Sequence, residues 1–146
     1  MNEINAGHIC VHFLLGKALQ RASQISKAKL EPYGVTPVQY ALLYQLWKKD
    51  GQFSYELGKS LLLDSATITG IIDRLEQNEL IKRRFDPTDR RTKLIYLTEK
   101  GKELEQPLKK KMDEMNEEVL SGLDDKERNQ FKQMLFDIGI RGGRLT

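Results

Sequence analysis

The stretch that decides the fold is "LLLDSATITGIIDRLEQNELIKRRFDPTDRRTKLIYLTEKG", from Leu61 to Gly101. Asp64 is a favourable helix N-cap, and the apolar residues after it recur at the spacing of one helical face: Ile68, Ile71, Ile72 and Leu75. Two β-rich pieces, "IKRRF" and "KLIYLT", then flank the turn-forming "DPTDRRT". The stretch predicts an amphipathic helix followed by a two-stranded hairpin with a charged loop, called the wing below.

Two shorter helices are predicted upstream of this stretch. The residues "TPVQ", from Thr36, combine a threonine N-cap, a proline in the first turn and a glutamine that caps back. The helix that they start is predicted to break at "KKDGQ", and "SYELGKSLLL" predicts a short helix from about Ser54 to Leu61. The order helix, helix, helix, hairpin predicts a winged helix-turn-helix over residues 35–101, in which the helix that begins at Asp64 enters the major groove of DNA.

Long helices are predicted on both sides of this module. From about Ile9 to Leu30, apolar residues recur every three or four positions along one stripe: Val11, Leu15, Ala18, Ala22 and Ile25. A winged module of this size leaves little surface to bury such a stripe. We therefore predict that residues 1–34 and 102–146 form a helical dimerisation region.

The C-terminal half of that region is predicted to contain two helices. Thr98 caps a helix that runs to about Leu120, and Pro107 is predicted to kink it. Asp124 and Glu127 then form a capping signature for a last amphipathic helix. The predicted fold class is mainly α with a small β-hairpin wing, a winged helix-turn-helix with N- and C-terminal dimerisation helices.

Positive charge is concentrated in the wing. The whole chain holds 24 basic and 21 acidic residues, a net charge of +3, whereas Lys82 to Lys93 alone contains six basic residues against two acidic ones. Charge placed beside a helix-turn-helix indicates binding to double-stranded DNA rather than a merely solvated turn. The predicted DNA-binding residues are Ser65, Thr67, Thr69, Gly70, Arg74, Arg84, Arg90, Arg91 and Lys93, with Asp89 orienting Arg91. Lys82 and Arg83 are also expected near phosphates.

The stretch from Leu61 to Gly101 resembles the signature of the multiple-antibiotic-resistance regulator (MarR) family, through "DRLE", the "DPTDRR" wing and "LTEKG". The resemblance implies an obligate homodimer, a wing ion pair between Asp89 and Arg91, and a minor-groove arginine at Arg90. It also implies a ligand-responsive repressor of a pseudo-palindromic operator, with an effector pocket between the dimerisation helices and the winged module. We expect an aromatic or acyl effector near His12, Tyr40 and Trp47.

Gly70 departs from the family pattern, because members often carry a larger polar or basic residue there. Glycine inside a helix costs up to about 1 kcal/mol relative to alanine. Two explanations stay open: Gly70 allows close approach of the helix to DNA, or glycine is simply tolerated.

The single cysteine, Cys10, fits a reducing compartment. Some family members sense peroxide through a thiol in the first helix, but alignment on "TPVQY" places His12 at that position, so we interpret Cys10 as a buried, unreactive thiol. His8 and His12 lie four residues apart and could share a metal ion, but a zinc site normally needs three or four ligands. We predict no metal and no cofactor.

No catalytic motif and no membrane-spanning or secretory segment is found in the sequence. We therefore predict a cytoplasmic protein that is not an enzyme. The alternatives are a redox-sensing regulator that uses Cys10, or a winged helix that serves as a non-specific architectural or protein-interaction module.

Overall fold

A computed structural model describes residues 8–142 of the chain. Residues 1–7 and 143–146 of the predicted dimerisation region lie outside this range, as does the last residue of the "RGG" predicted to end the final helix. The elements follow the predicted order, with a short β-strand added before the helix-turn-helix. They are α1 (Val11–Leu30), α2 (Pro37–Lys48), β1 (Gln52–Phe53), α3 (Ser54–Leu61), α4 (Ser65–Gln77), β2 (Ile81–Asp86), β3 (Asp89–Leu97), α5 (Glu99–Glu103), α6 (Glu105–Val119) and α7 (Asp125–Gly139).

The predicted helix caps are confirmed. The Oγ1 atom of Thr36 accepts a hydrogen bond from the Gln39 N–H at 3.2 Å, and Oε1 of Gln39 accepts one from the Thr36 N–H at 3.1 Å. Asp124 and Glu127 form the same reciprocal pair at the start of α7. Each cap satisfies backbone donors that the first helical turn leaves unpaired.

The sheet corrects two predictions about the wing. β1, which the sequence analysis missed, pairs antiparallel with β3, so the sheet has three strands in the order β1-β3-β2. The predicted loop from Asp86 to Thr92 is mostly strand, because β3 already begins at Asp89 and leaves only Pro87 and Thr88 as the turn. Backbone pairing between the two arms extends the strands into the segment that the sequence marks as a turn.

Two helices, α5 and α6, replace the single kinked helix that was predicted after Thr98. They meet at Leu104, three residues before Pro107. Proline has no N–H to donate to the carbonyl of Glu103, and its ring clashes with that carbonyl. The break thus confirms the predicted effect of Pro107 and places it one turn upstream.

The start of α5 is hydrogen-bonded to the turn that follows α4. The backbone N–H of Thr98 donates to the Leu80 carbonyl at 3.1 Å, and its hydroxyl donates to the Glu79 carbonyl at 2.6 Å. The carbonyl of Gly101 accepts a hydrogen bond from Nε1 of Trp47 on α2 at 3.0 Å. These bonds hold α5 against α2 and against the turn between α4 and β2.

The hydrophobic core lies between α2, α3, α4 and the sheet. Leu30 at the end of α1 and Leu108 in α6 enter the same core. The first half of α1, in contrast, is exposed along its whole length. None of the helices in residues 8–142 is long and apolar enough to cross a membrane. The remaining buried hydrophobic residues are Val35, Leu42, Leu43, Leu46, Leu57, Ile68, Ile71, Ile72, Leu75, Leu80, Ile81, Ile95 and Leu97.

Candidate nucleic-acid interface

The exposed face of α4 begins at a well-formed N-cap. Oδ1 of Asp64 accepts a hydrogen bond from the Thr67 N–H at 2.7 Å, and this bond holds the pKa of the Asp64 carboxyl below its usual value. Ser65, Thr67 and Gly70 are exposed beyond the cap. Hydroxyls at the start of a helix can reach base edges and phosphates, as the sequence analysis expected.

Two further predicted DNA-binding residues of α4, Thr69 and Arg74, differ in the contacts that they can make. The hydroxyl of Thr69 donates to the Ser65 carbonyl at 2.7 Å, so its hydrogen is already used and only its lone pairs face solvent. Arg74 is exposed and forms no ion pair within residues 8–142. Arg74 is therefore free to bind a phosphate, whereas Thr69 can act only as an acceptor.

Arg83 does not play the role that the sequence suggested. Its guanidinium contacts the Asp73 carboxylate at 2.6 Å and the Glu76 carboxylate at 2.7 Å, and its side chain is only 23% exposed. Burial alone would lower the pKa of Arg83, but the hydrogen bonds and charges of the two carboxylates outweigh it and raise the pKa. Arg83 thus joins β2 to α4 and is not available to phosphate; only the three-dimensional fold reveals this pairing.

The tip of the wing owes its shape to a β-bulge. Phe85 pairs with Lys93, but the next residue, Asp86, pairs with Asp89, so residues 90–92 of β3 have no partner on β2. Oδ1 of Asp86 closes the turn by accepting hydrogen bonds from the Thr88 N–H and hydroxyl. A bulge of this kind turns its residues away from the ladder, which explains why Arg90 and Arg91 are exposed.

Asp89 stabilises the bulge through hydrogen bonds to Arg91. Its Oδ1 accepts hydrogen bonds from the backbone N–H and from Nε of Arg91, both at 3.0 Å, and these bonds lower the pKa of the Asp89 carboxyl. The Arg91 side chain is still 90% exposed. Arg90 forms no ion pair with any residue that the structure describes. The wing tip therefore presents one oriented and one free arginine.

The base of the wing carries the last two predicted DNA-binding residues. Arg84 is exposed on β2. The ammonium group of Lys93 lies 5.1 Å from the centroid of the exposed Phe85 ring. Lys93 and Ser65 also line one groove between the wing and the start of α4. The fold thus brings the polar face of α4 and the basic wing to the same side of the molecule.

The predicted effector-binding residues fall into two places. Tyr40 and Trp47 lie together on α2 with their ring centroids 5.7 Å apart, and burial raises the pKa of Tyr40. The sequence analysis missed Lys109 of α6, whose ammonium lies 6.0 Å from the Trp47 ring. His12 is exposed in the first turn of α1, roughly 25 Å along that helix from Lys29, which pairs with α6. One chain alone does not bring His12 to Tyr40.

Cys10 corrects another interpretation, since it is exposed. It precedes α1 and lies outside the core, so the expectation of a buried thiol is wrong for the single chain. No group of three or more potential metal ligands occurs within residues 8–142.

Comparison with known proteins gives concordant results. The model of the MarR family matches residues 35–93. The chain is 31% identical over 127 residues to the HTH-type transcriptional regulator MhqR of Bacillus subtilis, covering 87% of this chain and 88% of that protein.

Two solved structures share the fold closely. One is Bordetella bronchiseptica BpsR, whose DNA binding is regulated by 6-hydroxynicotinic acid (TM-score 0.82, 26% identity, 94% of this chain and 97% of that chain). The other is the Staphylococcus aureus MepR–DNA complex (TM-score 0.79, 28% identity, 90% of this chain and 97% of that chain).

Proposed function

The chain belongs to the MarR family of DNA-binding transcriptional regulators, and from this premise we propose that it is a homodimeric, ligand-responsive repressor of a pseudo-palindromic operator. The observation that carries the proposal is the joint exposure of the polar α4 face and the bulged, arginine-bearing wing tip on one side of the chain. Residues 35–101 form the DNA-binding part in this proposal, and residues 1–34 and 102–146 form the dimerisation part.

The contacts with DNA divide between three parts of the duplex. The start of α4 faces base edges in the major groove through Ser65, Thr67 and Gly70. The hydroxyl of Thr69 accepts a hydrogen bond from a base edge there. Arg90 enters the minor groove, whose negative potential attracts arginine, and Asp89 directs Arg91 to the neighbouring backbone. The phosphates are bound by Arg74, Arg84 and Lys93.

Dimerisation is supported by apolar side chains that the single chain leaves in solvent. On α1 they include Val11 and Leu19, each 67% exposed, together with Phe13, Leu14 and Leu15. On α7 they are Met134, Leu135, Phe136 and Ile138, and Ile140 directly follows that helix. Large apolar patches of this kind mark interaction surfaces. A two-fold dimer buries the same surface on each copy and presents two copies of α4 to a pseudo-palindromic site.

The effector is proposed to bind where α2 meets α6, against Tyr40 and Trp47. Aromatic rings beside the Lys109 ammonium suit an aromatic or acyl compound with an anionic group. His12 would reach this place from the partner copy, because its own chain holds it far away. A ligand between the dimerisation part and the winged part changes the distance between the two α4 helices, and so lowers affinity for DNA with two half-sites.

The first test measures sequence specificity. A duplex selected by the protein from a randomised library is compared with a scrambled duplex of equal length and composition, across a range of salt concentrations. We expect the selected duplex to bind at least about 10³-fold more tightly. Equal affinity for both duplexes would show an architectural or protein-interaction module instead of an operator-specific regulator.

The second test uses Trp47, the single tryptophan of the chain, as a fluorescent reporter of the effector site. Aromatic acids, including 6-hydroxynicotinic acid, and acyl-coenzyme A thioesters are titrated into the protein–DNA complex. We expect at least one compound to change Trp47 emission and to weaken DNA binding about tenfold or more, with a lower compound affinity in Tyr40→Ala. If a compound released DNA equally from the wild type and from Tyr40→Ala, without changing Trp47 emission, the effector site would lie elsewhere.

The exposed Cys10 supports one other candidate, thiol-based sensing of oxidants. The same assay separates it from the effector proposal. Peroxide that releases DNA from the wild type but not from Cys10→Ser would favour the thiol mechanism.

A further inference from the structure

The C-terminal end of α6 has carbonyl groups that helix geometry leaves without partners. The last turn of an α-helix presents C=O groups with no intrahelical N–H to accept from, and the negative end of the helix dipole lies there. Two arginines from other helices donate to neighbouring carbonyls at this end. One belongs to α1 and the other to α7, the two helices whose exposed apolar faces form the proposed dimer contact.

Arg21 of α1 covers the final turn of α6. Its Nη1 donates to the Val119 carbonyl at 3.1 Å, and its Nη2 donates to the Glu118 carbonyl at 3.3 Å. Arg21 lies two residues after Leu19, an exposed residue of the apolar stripe of α1. The direction of that stripe is therefore tied to the end of α6.

Arg128 of α7 holds the turn that follows α6. Its Nε donates to the carbonyls of Leu120 and Leu123, at 3.2 and 2.9 Å, and its Nη1 donates to the Glu117 carboxylate. The Arg128 side chain is only 18% exposed, although α7 has no buried residue within the described chain. A planar guanidinium with donors in fixed directions thus joins α7 to α6.

The direction of α7 has a large effect on distances across a dimer. The helix contains 15 residues, so it is about 22 Å long. A tilt of about 10° in its first turn would move its far end by about 4 Å, which is close to the rise of roughly 3.4 Å per base pair of DNA. Packing within the chain does not fix this tilt, because α7 buries none of its residues there. The contacts of Arg128 therefore have to fix it.

We propose that Arg128, together with Arg21, is a positioning residue that sets the half-site separation at which the dimer binds DNA. The two guanidinium groups fix the angles of α7 and α1 against the end of α6. A two-fold dimer built on those helices then holds its two α4 helices at one distance. The inference rests on the proposed function, because it requires a dimer that meets two half-sites together.

The test is the dependence of DNA affinity on half-site separation in Arg128→Gln. The half-sites of the selected duplex are moved together or apart by one and two base pairs, and a duplex with a single half-site is the reference. The wild type should lose about 100-fold in affinity on a shift of two base pairs, because its two half-sites are then no longer bound together. Arg128→Gln should lose less than about tenfold, since a freer α7 lets the two α4 helices follow the half-sites. Its affinity for the single half-site should equal that of the wild type.

Lys126→Gln is the matched control, because it removes one positive charge from the exposed first turn of the same helix. It should lose as much affinity on each shifted duplex as the wild type does. Arg21→Gln is a second variant, at an exposed side chain. It should weaken the preference for one separation in the same way, and it decides the question if Arg128→Gln does not fold.

Three results would overturn the proposal: a wild-type dependence on separation in either arginine variant that sediments as a dimer, an equally weakened preference in Lys126→Gln, or sedimentation of both arginine variants as monomers. The last result would show that the arginines hold the subunits together and do not position them. Failure of the proposed function is a separate result. It appears in the wild type itself, as equal affinity for duplexes with one and with two half-sites.

Discussion

Replacing Leu15 by glutamate is expected to convert the protein into monomers and to weaken its binding to a two-half-site duplex by at least about 100-fold. Leu15 lies at the centre of the exposed apolar stripe of α1, between Val11 and Leu19. A carboxylate buried there without a partner would strongly disfavour association. Two half-sites held in one dimer gain about 10² to 10⁴ in affinity over separate monomers, and this gain would be lost.

Gln20→Glu is the matched control, because it adds the same charge on the other side of α1. Sedimentation and DNA titration should give the wild-type result for that variant. A Leu15→Glu protein that sediments as a dimer would show that the apolar stripe has another role. A monomer with undiminished affinity would show that the two half-sites are not bound together.

Gly101→Ala is expected to destabilise the protein by about 3 kcal/mol. A methyl group at this position would lie 2.2 Å from the Leu80 carbonyl oxygen, which is a backbone atom and cannot rotate away. Relief of the clash requires the start of α5 to move, and that movement strains the hydrogen bond from Trp47 to the Gly101 carbonyl. Thermal unfolding at fixed protein concentration should show a midpoint roughly 10 °C lower.

Gly70→Ala is the comparison, since it places the same methyl group in a helix where nothing lies within 4 Å. It should raise stability by up to about 1 kcal/mol. If Gly70 lies against DNA as proposed, this more stable variant binds DNA more weakly, whereas undiminished binding would indicate that glycine is only tolerated there. Unfolding of Gly101→Ala at the wild-type temperature would refute the close packing of α5 on Leu80.

The local parts of the fold could be predicted from the sequence because their causes are local. The capping pairs at Thr36 and Asp124 involve residues three positions apart, and the apolar spacing in α4 defines its buried face without reference to the rest of the chain. Pro107 indicated a kink in the helix after Thr98 for the same reason, although the structure has a complete break there. Only the exact position of the break, at Leu104, required the structure.

The parts that could not be predicted depend on residues far apart in sequence. β1 is two residues long and exists only because β3 pairs with it some 40 residues later. The length of the wing strands depends on backbone pairing across the hairpin. The turn-forming residues of "DPTDRRT" gave no sign of that pairing. Among the candidate site residues, Arg83 looked like its basic neighbours until the fold placed it against α4.

The bridge from Arg83 to Asp73 and Glu76 has a consequence for how sequences of this fold can diverge. If α4 faces DNA as proposed, its two carboxylates would repel phosphate unless their charge were neutralised from within the protein. Loss of the arginine alone would leave both uncompensated, and loss of both acids would leave a partly buried cation without a partner. Positions 73, 76 and 83 should therefore change together during evolution, while their free basic neighbours vary one at a time.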